Sequence, residues 1–111
     1  MAAFVKGDVV VVPFPFSDLT GAKRRPALVV ATLTGNDLIL CQITSQKVSD
    51  SYAIPITNDD FSTGGLNRHS QIRPNRLFTA DENLILYRIG RLKVNKLEQV
   101  MAQIIDILQG S

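Results

Sequence analysis

The sequence predicts a small, strongly bent antiparallel β-sheet closed by one C-terminal helix. Three observations favour this class: short β-branched runs recur along the chain, turn-forming residues separate them, and one amphipathic stretch follows near the C-terminus. Short strands with turns between them are typical of a β-barrel. A chain of 111 residues has the usual size of one domain, so residues 1–111 are expected to form a single domain.

The strands are predicted from β-branched and apolar runs. Pro13 and Pro15 are expected to stop the first run, and Pro26 to start the second. A turn over residues 34–37 joins the second and third runs into a hairpin, and Pro55 makes the fourth an edge strand. Residues 58–67 are rich in turn formers. The predicted strands are Asp8 to Val12, Ala27 to Thr32, Leu38 to Thr44, Tyr52 to Ile56, Ser70 to Arg73, Leu77 to Thr79 and Leu86 to Leu92.

One helix is predicted near the C-terminus. Asn95 is expected to cap it, with Glu98 three residues later completing a capping box, and Gly110 to end it. Apolar residues at spacings of three and four give it one apolar stripe, which is expected to pack in the core or at an interface. These residues are Leu97, Val100, Met101, Ile104, Ile105 and Leu108.

Composition excludes several classes of protein. The hydrophobic fraction of 45% and charged fraction of 20% are those of a globular domain rather than a disordered chain. No apolar run reaches the ~18 residues of a membrane span, and the first residues lack the features of a secretory signal. Cys41 is the only cysteine, so no intramolecular disulfide can form. These features predict a cytoplasmic protein with no membrane association.

Charge is unevenly distributed although the net charge is only +2. Between residues 68 and 96, seven basic residues face only two acidic ones, whereas residues 37–60 carry four acids and one lysine. Residues 23–25 form a separate basic cluster. Such asymmetry suits a phosphate-bearing partner, but it is equally compatible with a solvated surface.

Several catalytic motifs are absent. The chain has no glycine-rich phosphate loop, no CxxC and no HExxH motif. One cysteine and one histidine cannot supply a zinc site, so neither a metal nor a cofactor is expected. His69 is interpreted as a loop residue rather than a catalyst, because no serine lies in a nucleophile elbow.

Two polar groups remain as candidates for chemistry. Arg25 precedes Pro26, which favours an extended backbone at the start of a strand, and a guanidinium fixed there suits bidentate phosphate binding. An ion pair made by Arg25 or Arg24 is the alternative. Thr44, Ser45 and Gln46 end the third strand, where they either donate to a phosphate or cap the strand end. The predicted hairpin makes Arg25 and Thr44 neighbours.

A resemblance to a known family rests on segments that follow one another along nearly the whole chain. They are Gly7-Asp8-Val9-Val10, Lys23 to Val30 with its Arg25-Pro26 step, Gln42 to Gln46, Gly65-Leu66, Ser70 to Thr79 and Ile89 to Leu92. These segments resemble the MazF/PemK toxins of bacterial toxin–antitoxin pairs. The resemblance implies a small SH3-like β-barrel of the PemK/CcdB plasmid-maintenance toxin type, a homodimer, and an acidic cognate antitoxin with which the toxin binds DNA.

The same resemblance implies a metal-independent endoribonuclease. The family's catalytic arginine before proline corresponds to Arg25 and its catalytic threonine to Thr44. Attack by the 2′-hydroxyl on the adjacent phosphate of single-stranded RNA would leave a 2′,3′-cyclic phosphate and a 5′-hydroxyl. Further RNA contacts are expected from Phe14, Phe16, Lys23, Arg24, Ser45, Gln46, Arg73 and Arg76.

One departure from the family concerns the first loop. Many members carry a glutamate five residues before the catalytic arginine, where this chain has Thr20, and the nearest carboxylate is Asp18. The general base is therefore not assigned from the sequence. Two alternatives remain: a non-catalytic toxin that poisons a protein target such as gyrase, and an inert relative that binds antitoxin or nucleic acid.

Overall fold

A computed structural model describes residues 3–14 and 23–110, with Phe14 described in its backbone only. The described residues form seven strands and one long helix, with single-turn 3₁₀ helices at Asn58–Asp60 and Glu82–Leu84. The elements are β1 Asp8–Phe14, β2 Lys23–Thr32, β3 Asp37–Thr44, β4 Ile54–Ile56, β5 Phe61–Gly64, β6 Ser70–Asp81, β7 Tyr87–Leu92 and α1 Val94–Gln109. No helix in the described ranges is long and apolar enough to cross a membrane.

All seven strands belong to one antiparallel sheet in the order β4-β6-β3-β2-β1-β7-β5. The sheet curves into a half-barrel, with β4 and β5 as its two outer strands. The predicted class, mainly β with a C-terminal helix, is confirmed. The hairpin of β2 and β3 is also confirmed, as is the edge position of the strand that contains Pro55.

The predicted boundaries of β1 and β6 are wrong, and both errors involve proline. β1 continues through Pro13, because its pairing with β7 ends at Val11 and the missing N–H of Pro13 costs no hydrogen bond on that side. The two short strands predicted on either side of Pro74 form one strand, β6. Residues 73–76 lie in an irregularity between the pairs Ile43↔Ile72 and Cys41↔Leu77, so Pro74 interrupts no ladder bond.

Two more differences concern strand extent. β2 begins at Lys23 rather than at Ala27, because its first residues pair with β1 before they reach β3. β5 was not predicted, since it lies in the turn-rich stretch 58–67. This strand has only four residues and only Phe61 among them is buried, so its pattern is too short to detect.

The sheet buries apolar residues on both faces. The larger cluster includes Leu28, Ile43, Ile72, Val100 and Ile104, and it lies between the sheet and α1. A smaller second cluster lies on the opposite face. It consists of Val10, Val12, Ala27, Val29, Leu38, Leu40 and Ala80, with Phe4, Phe78 and Ile85 packed against it.

The helix completes the core of its own chain. Val100 and Ile104 are buried and Leu97 and Met101 pack against the same cluster, whereas Ile105 and Leu108 are exposed. The predicted Asn95 cap and its capping box are wrong, because the carbonyl of Lys93 already accepts the N–H of Leu97 and the first turn begins at Val94. Gly110 ends the helix as predicted, with a φ of 76°.

Candidate active site

The hairpin of β2 and β3 determines where Arg25 and Thr44 lie. The last pair between these strands is Ala27↔Gln42. Continued by two residues, the same antiparallel register places Arg25 opposite Thr44, at the open end of the hairpin. The two residues therefore lie at the same end of neighbouring strands. This geometry supports the expected proximity of the two side chains, whose catalytic roles stay a prediction.

Arg25 and Thr44 differ in their surroundings. Arg25 is half-buried and lies opposite Val12, a member of the second cluster. Neither Arg25 nor Arg24 forms an ion pair with any residue in the described ranges. Thr44 is buried, with 7% of its surface exposed, and its Oγ1 accepts a hydrogen bond from the Gln46 N–H at 3.1 Å. The threonine hydroxyl is therefore held in a fixed orientation while its own proton remains for donation.

A third predicted residue, Arg73, belongs to the same face of the sheet. Thr44 pairs with Gln71, and alternation places Arg73 on the side of Gln71. Its Nη2 donates to the Asp50 carboxylate at 2.9 Å, with 18% of the arginine side chain and 28% of the aspartate exposed. The Arg73 Nε is buried and has no partner among the described residues. Arg73 is thus a fixed cation rather than a flexible surface group.

Asp50 organises the loop that follows β3. One of its carboxylate oxygens accepts the N–H groups of Tyr52 and Ala53, and the other accepts the guanidinium of Arg73. The hydrogen bond from Arg73 is the main cause of a lowered pKa of the Asp50 carboxyl, and the two backbone donors lower it further. The sequence did not identify Asp50 as a site residue, because it is separated from Arg73 by 23 positions.

On the opposite face of β2, a groove passes beside Arg24. Two adjoining cavities of about 550 and 340 Å³ share the side chains of Arg24, Pro26, Leu66 and Asn67. We call the combined feature the Arg24 groove. The larger cavity extends to Tyr87 and the smaller one to Ser45, Arg68 and Ser70. The Arg24 groove therefore contains two of the residues predicted to bind RNA, Arg24 and Ser45, but it lies across the sheet from Arg25 and Thr44.

The remaining predicted RNA-binding residues are Lys23, Gln46, Arg76, Phe14 and Phe16. Lys23 is the first residue of β2, and Gln46 follows Ser45 in the loop after β3; both are exposed. Arg76 is also exposed, in the irregular part of β6. Phe14 is the last residue of β1, but its side chain is not among those described, and Phe16 lies outside the described residues altogether. The same applies to Asp18 and Thr20 of the first loop.

The Gly7-Asp8 pair has a structural role. The carboxylate of Asp8 is fully buried and accepts the Val5 N–H and the Nε of Arg91, both at 2.9 Å. Arg88 approaches the same carboxylate at 3.7 Å. Gly7 binds β2 and the end of β7 through its backbone N–H and carbonyl. The motif therefore fixes β1 between its neighbours, and it occupies two of the arginines that gave the later part of the chain its excess of positive charge.

The other titratable groups among the described residues offer no alternative centre. His69 is exposed in the segment before β6, as expected for a loop residue. Cys41 is buried and its thiol donates to the carbonyl of Arg73 at 3.0 Å, while desolvation raises its pKa to about 12. Within residues 3–14 and 23–110, no group of three or more His, Cys, Asp or Glu residues is placed to hold a metal ion.

Residues 5–108 match the family described as PemK-like, MazF-like toxin of type II toxin–antitoxin systems. The chain belongs to this family. The match spans the sheet, both candidate faces and most of α1, and it confirms the resemblance found in the sequence. A comparison with curated protein sequences found no match.

Solved structures of PemK/MazF-type toxins share the fold. An endoribonuclease in complex with its cognate antitoxin from a Mycobacterial species superposes with a TM-score of 0.74 at 12% identity, over 98% of each chain. A MazE–MazF structure from Deinococcus radiodurans gives 0.74 at 17% identity, over 97% of this chain and 98% of that chain. The Mycobacterium tuberculosis toxin MazF-mt6 gives 0.68 at 17% identity, over 90% and 93%. At such identities the similarity concerns the fold.

Proposed function

We propose that this PemK/MazF-family toxin is an endoribonuclease that cleaves single-stranded RNA without a metal ion. The observation that carries the proposal is the position of Arg25 and Thr44 at the open end of one hairpin, on one face of the sheet. Family membership supports it, and so does the similarity to structures of endoribonucleases.

The proposed reaction is an internal transesterification. The 2′-oxygen attacks the adjacent phosphorus and the bond from phosphorus to the 5′-oxygen breaks, which gives a 2′,3′-cyclic phosphate and a 5′-hydroxyl. One proton leaves the 2′-hydroxyl and one reaches the 5′-oxygen, so no net proton is consumed. Negative charge grows on the non-bridging phosphoryl oxygens, and stabilising that charge is what the site has to do.

Arg25 and Thr44 match this requirement. Arg25 is half-buried and has no ion-pair partner among the described residues, so the fork of donors on its guanidinium can bind two phosphoryl oxygens. Thr44 accepts the Gln46 N–H and can give its own proton to one of the same oxygens. Protonation of the 5′-oxygen by Arg25 is a secondary role, because a guanidinium is a poor proton donor.

The test is single-turnover cleavage of single-stranded RNA in excess EDTA, with both product ends mapped. Arg25→Ala and Thr44→Ala should each slow cleavage by about a hundredfold or more. Thr44→Ser, which keeps the hydroxyl, should retain most of the rate. Lys6→Ala and Thr79→Ala remove a positive charge and a hydroxyl at exposed positions away from the site and should cleave like the wild-type protein.

Three results would contradict the proposal. Cleavage that stops in EDTA and returns with Mg²⁺ would exclude a metal-free reaction. Wild-type rates in Arg25→Ala and Thr44→Ala would place the site elsewhere. An Arg25→Ala variant that remains toxic in cells while the wild-type protein cleaves no RNA would favour a toxin that binds a protein target. Thermal midpoints within a few degrees of wild type show that a slow variant is folded.

The proposal includes two macromolecular partners besides RNA. The first is a second copy of the chain, since the family resemblance implies a homodimer; light scattering at micromolar concentration should give twice the mass of one chain. The second is an acidic antitoxin segment, which would lie over Arg25 and the basic residues between Arg68 and Lys96 and compete with RNA. Charge steering predicts that its association rate falls steeply with added salt while dissociation changes less.

Competition also tests how the antitoxin binds. Replacing Arg76 with Ala should weaken both RNA and the antitoxin segment, because Arg76 is exposed and has no ion-pair partner among the described residues. A ternary complex in which saturating antitoxin leaves RNA affinity unchanged would show that the two ligands use separate surfaces.

A further inference from the structure

The Arg24 groove has a mixed chemistry. Pro26 and Leu66 are half-buried and apolar, Tyr87 is 48% exposed, and Arg24 and Asn67 are exposed polar residues. Among the described residues, no Asp or Glu lines either cavity. A surface that combines an aromatic ring, an amide and guanidinium groups can contact all three parts of a nucleotide: the face of the base, its edge and the phosphate.

The Arg24 groove adjoins the candidate active site through two chain neighbours. Arg24 directly precedes Arg25 on β2, and Ser45 directly follows Thr44 at the end of β3. Successive residues of a strand point to opposite faces, so the groove and the active site lie on opposite faces of the sheet. Because these residues are adjacent in the chain, both sites lie at the same end of the sheet. An RNA strand that passes around this end would have one phosphate at Arg25 and the neighbouring nucleotide in the groove.

We infer that the Arg24 groove binds a nucleotide next to the scissile phosphate, with its base stacked on Tyr87 and its phosphate held by Arg24 and Arg68. Asn67 supplies a donor and an acceptor for the edge of the base. This inference rests on the proposed ribonuclease function and adds a substrate subsite to it. Tyr87 is here a binding residue and takes no part in the transfer of the phosphoryl group.

The observations favour a nucleotide over an acidic peptide. Carboxylates of a peptide would require only the positive charge of Arg24 and Arg68. The exposed Tyr87 and Asn67 both line the larger cavity, and an aromatic ring and an amide are groups that recognise a base. Removal of an aromatic side chain on which a base stacks reduces the affinity for the nucleic acid about 5- to 100-fold.

The sequence allows a direct test of stacking. The chain has two tyrosines and no tryptophan, so its tyrosine emission comes from Tyr52 and Tyr87 and is not masked by tryptophan. A 2′-fluoro oligonucleotide lacks the attacking hydroxyl and serves as an uncleavable probe. In Tyr52→Phe the probe should quench the emission of Tyr87, whereas in Tyr87→Phe it should bind with wild-type affinity and leave the emission of Tyr52 unchanged.

Affinity measurements provide a second test of the proposed subsite. Tyr87→Ala should raise the Kd for the 2′-fluoro probe about 5- to 100-fold. Tyr52→Ala is the matched control, since Tyr52 is 41% exposed and does not line the groove, and it should change the Kd less than twofold. A series of probes, each lacking one base at a different position, should show one position at which the missing base weakens binding to the wild-type protein. At that position the missing base should not change the affinity of Tyr87→Ala.

The possible contrary results are distinct. Equal Kd values for wild type and Tyr87→Ala, or equal losses in Tyr87→Ala and Tyr52→Ala, would overturn the subsite. An abasic effect that persists in Tyr87→Ala would also overturn it. If Tyr87→Ala weakens oligoglutamate more than the RNA probe, the groove is a site for an acidic chain. Failure of the ribonuclease proposal looks different, because the wild-type protein would then not cleave unmodified RNA at all.

Discussion

Replacing Gly64 with alanine should separate the two strands at one edge of the half-barrel. Gly64 is the last residue of β5 and lies opposite Gly90 of β7. Its φ is 70°, which L-residues with a side chain rarely adopt. A Cβ at this position would lie 2.7 Å from the Cα of Gly90 and closer still to the carbonyl oxygen of Ile89. Both obstacles are backbone atoms, which cannot rotate out of the way.

The size of the effect follows from two contributions. The left-handed backbone costs about 1–2 kcal/mol for an alanine. Forcing extra volume into a packed contact costs about 1–3 kcal/mol. Gly64→Ala should therefore lower the free energy of unfolding by about 2–5 kcal/mol. For a domain of this length, 1 kcal/mol corresponds to a Tm change of about 4 °C or more, which predicts a decrease of roughly 10–20 °C.

Gly35→Ala is the matched control. Gly35 has a φ of 84°, but a Cβ added there would meet no atom within 4 Å, so only the backbone cost of about 1–2 kcal/mol applies. Thermal and urea unfolding followed by circular dichroism measure both variants. If the two substitutions lower Tm equally, the close approach of β5 to β7 contributes nothing and the reasoning is refuted.

Three further predictions concern buried or paired side chains. The pKa of Asp50 is lowered from 3.8, so its ionised form favours folding above that pH, and this contribution is lost as the pH falls through the lower folded-state value. The Tm difference between wild type and Asp50→Asn should therefore be present at pH 6 and vanish in strong acid; a difference that does not change with pH would contradict the pairing with Arg73. Cys41, with a thiol pKa of about 12 and no exposed surface, should resist a thiol reagent at pH 8 until the protein is unfolded, and rapid labelling of the native protein would contradict its burial. Asp8→Ala should lower the free energy of unfolding by about 2–4 kcal/mol, because the hydrogen bonds to Val5 and Arg91 are both lost, while Asp59→Ala at an exposed position should change it by less than about 0.5 kcal/mol.

The sequence was sufficient for the hairpin that carries the candidate site. Two β-branched or apolar runs with a turn between them can pair in only a few ways, and the proximity of Arg25 to Thr44 follows from that pairing. The helix was predicted for a similar reason, since its apolar stripe has the helical period. The first residue of the helix was not predicted correctly. The N-cap is Lys93, whose side chain makes no capping hydrogen bond, so no capping residue marks this position in the sequence.

Other parts of the site depend on contacts between distant segments. The ion pair of Asp50 with Arg73 joins a loop to a strand, and neither residue belongs to a local pattern. The Arg24 groove combines β2, β7 and the segment before β6, so its residues become neighbours only after the sheet has formed. Exposed residues such as Asn67 and Tyr87 show no periodicity, and the sequence alone could not indicate that they line the same groove.

The position of β1 affects when this toxin can fold during its synthesis. β1 lies between β2, which begins at Lys23, and β7, which begins at Tyr87. Asp8 reaches its partner Arg91 across 83 positions, and the main cluster needs Val100 and Ile104 of the helix. Pairings across such separations form late, because a long loop has to close before they contribute. The half-barrel therefore cannot close until both β7 and α1 have been synthesised.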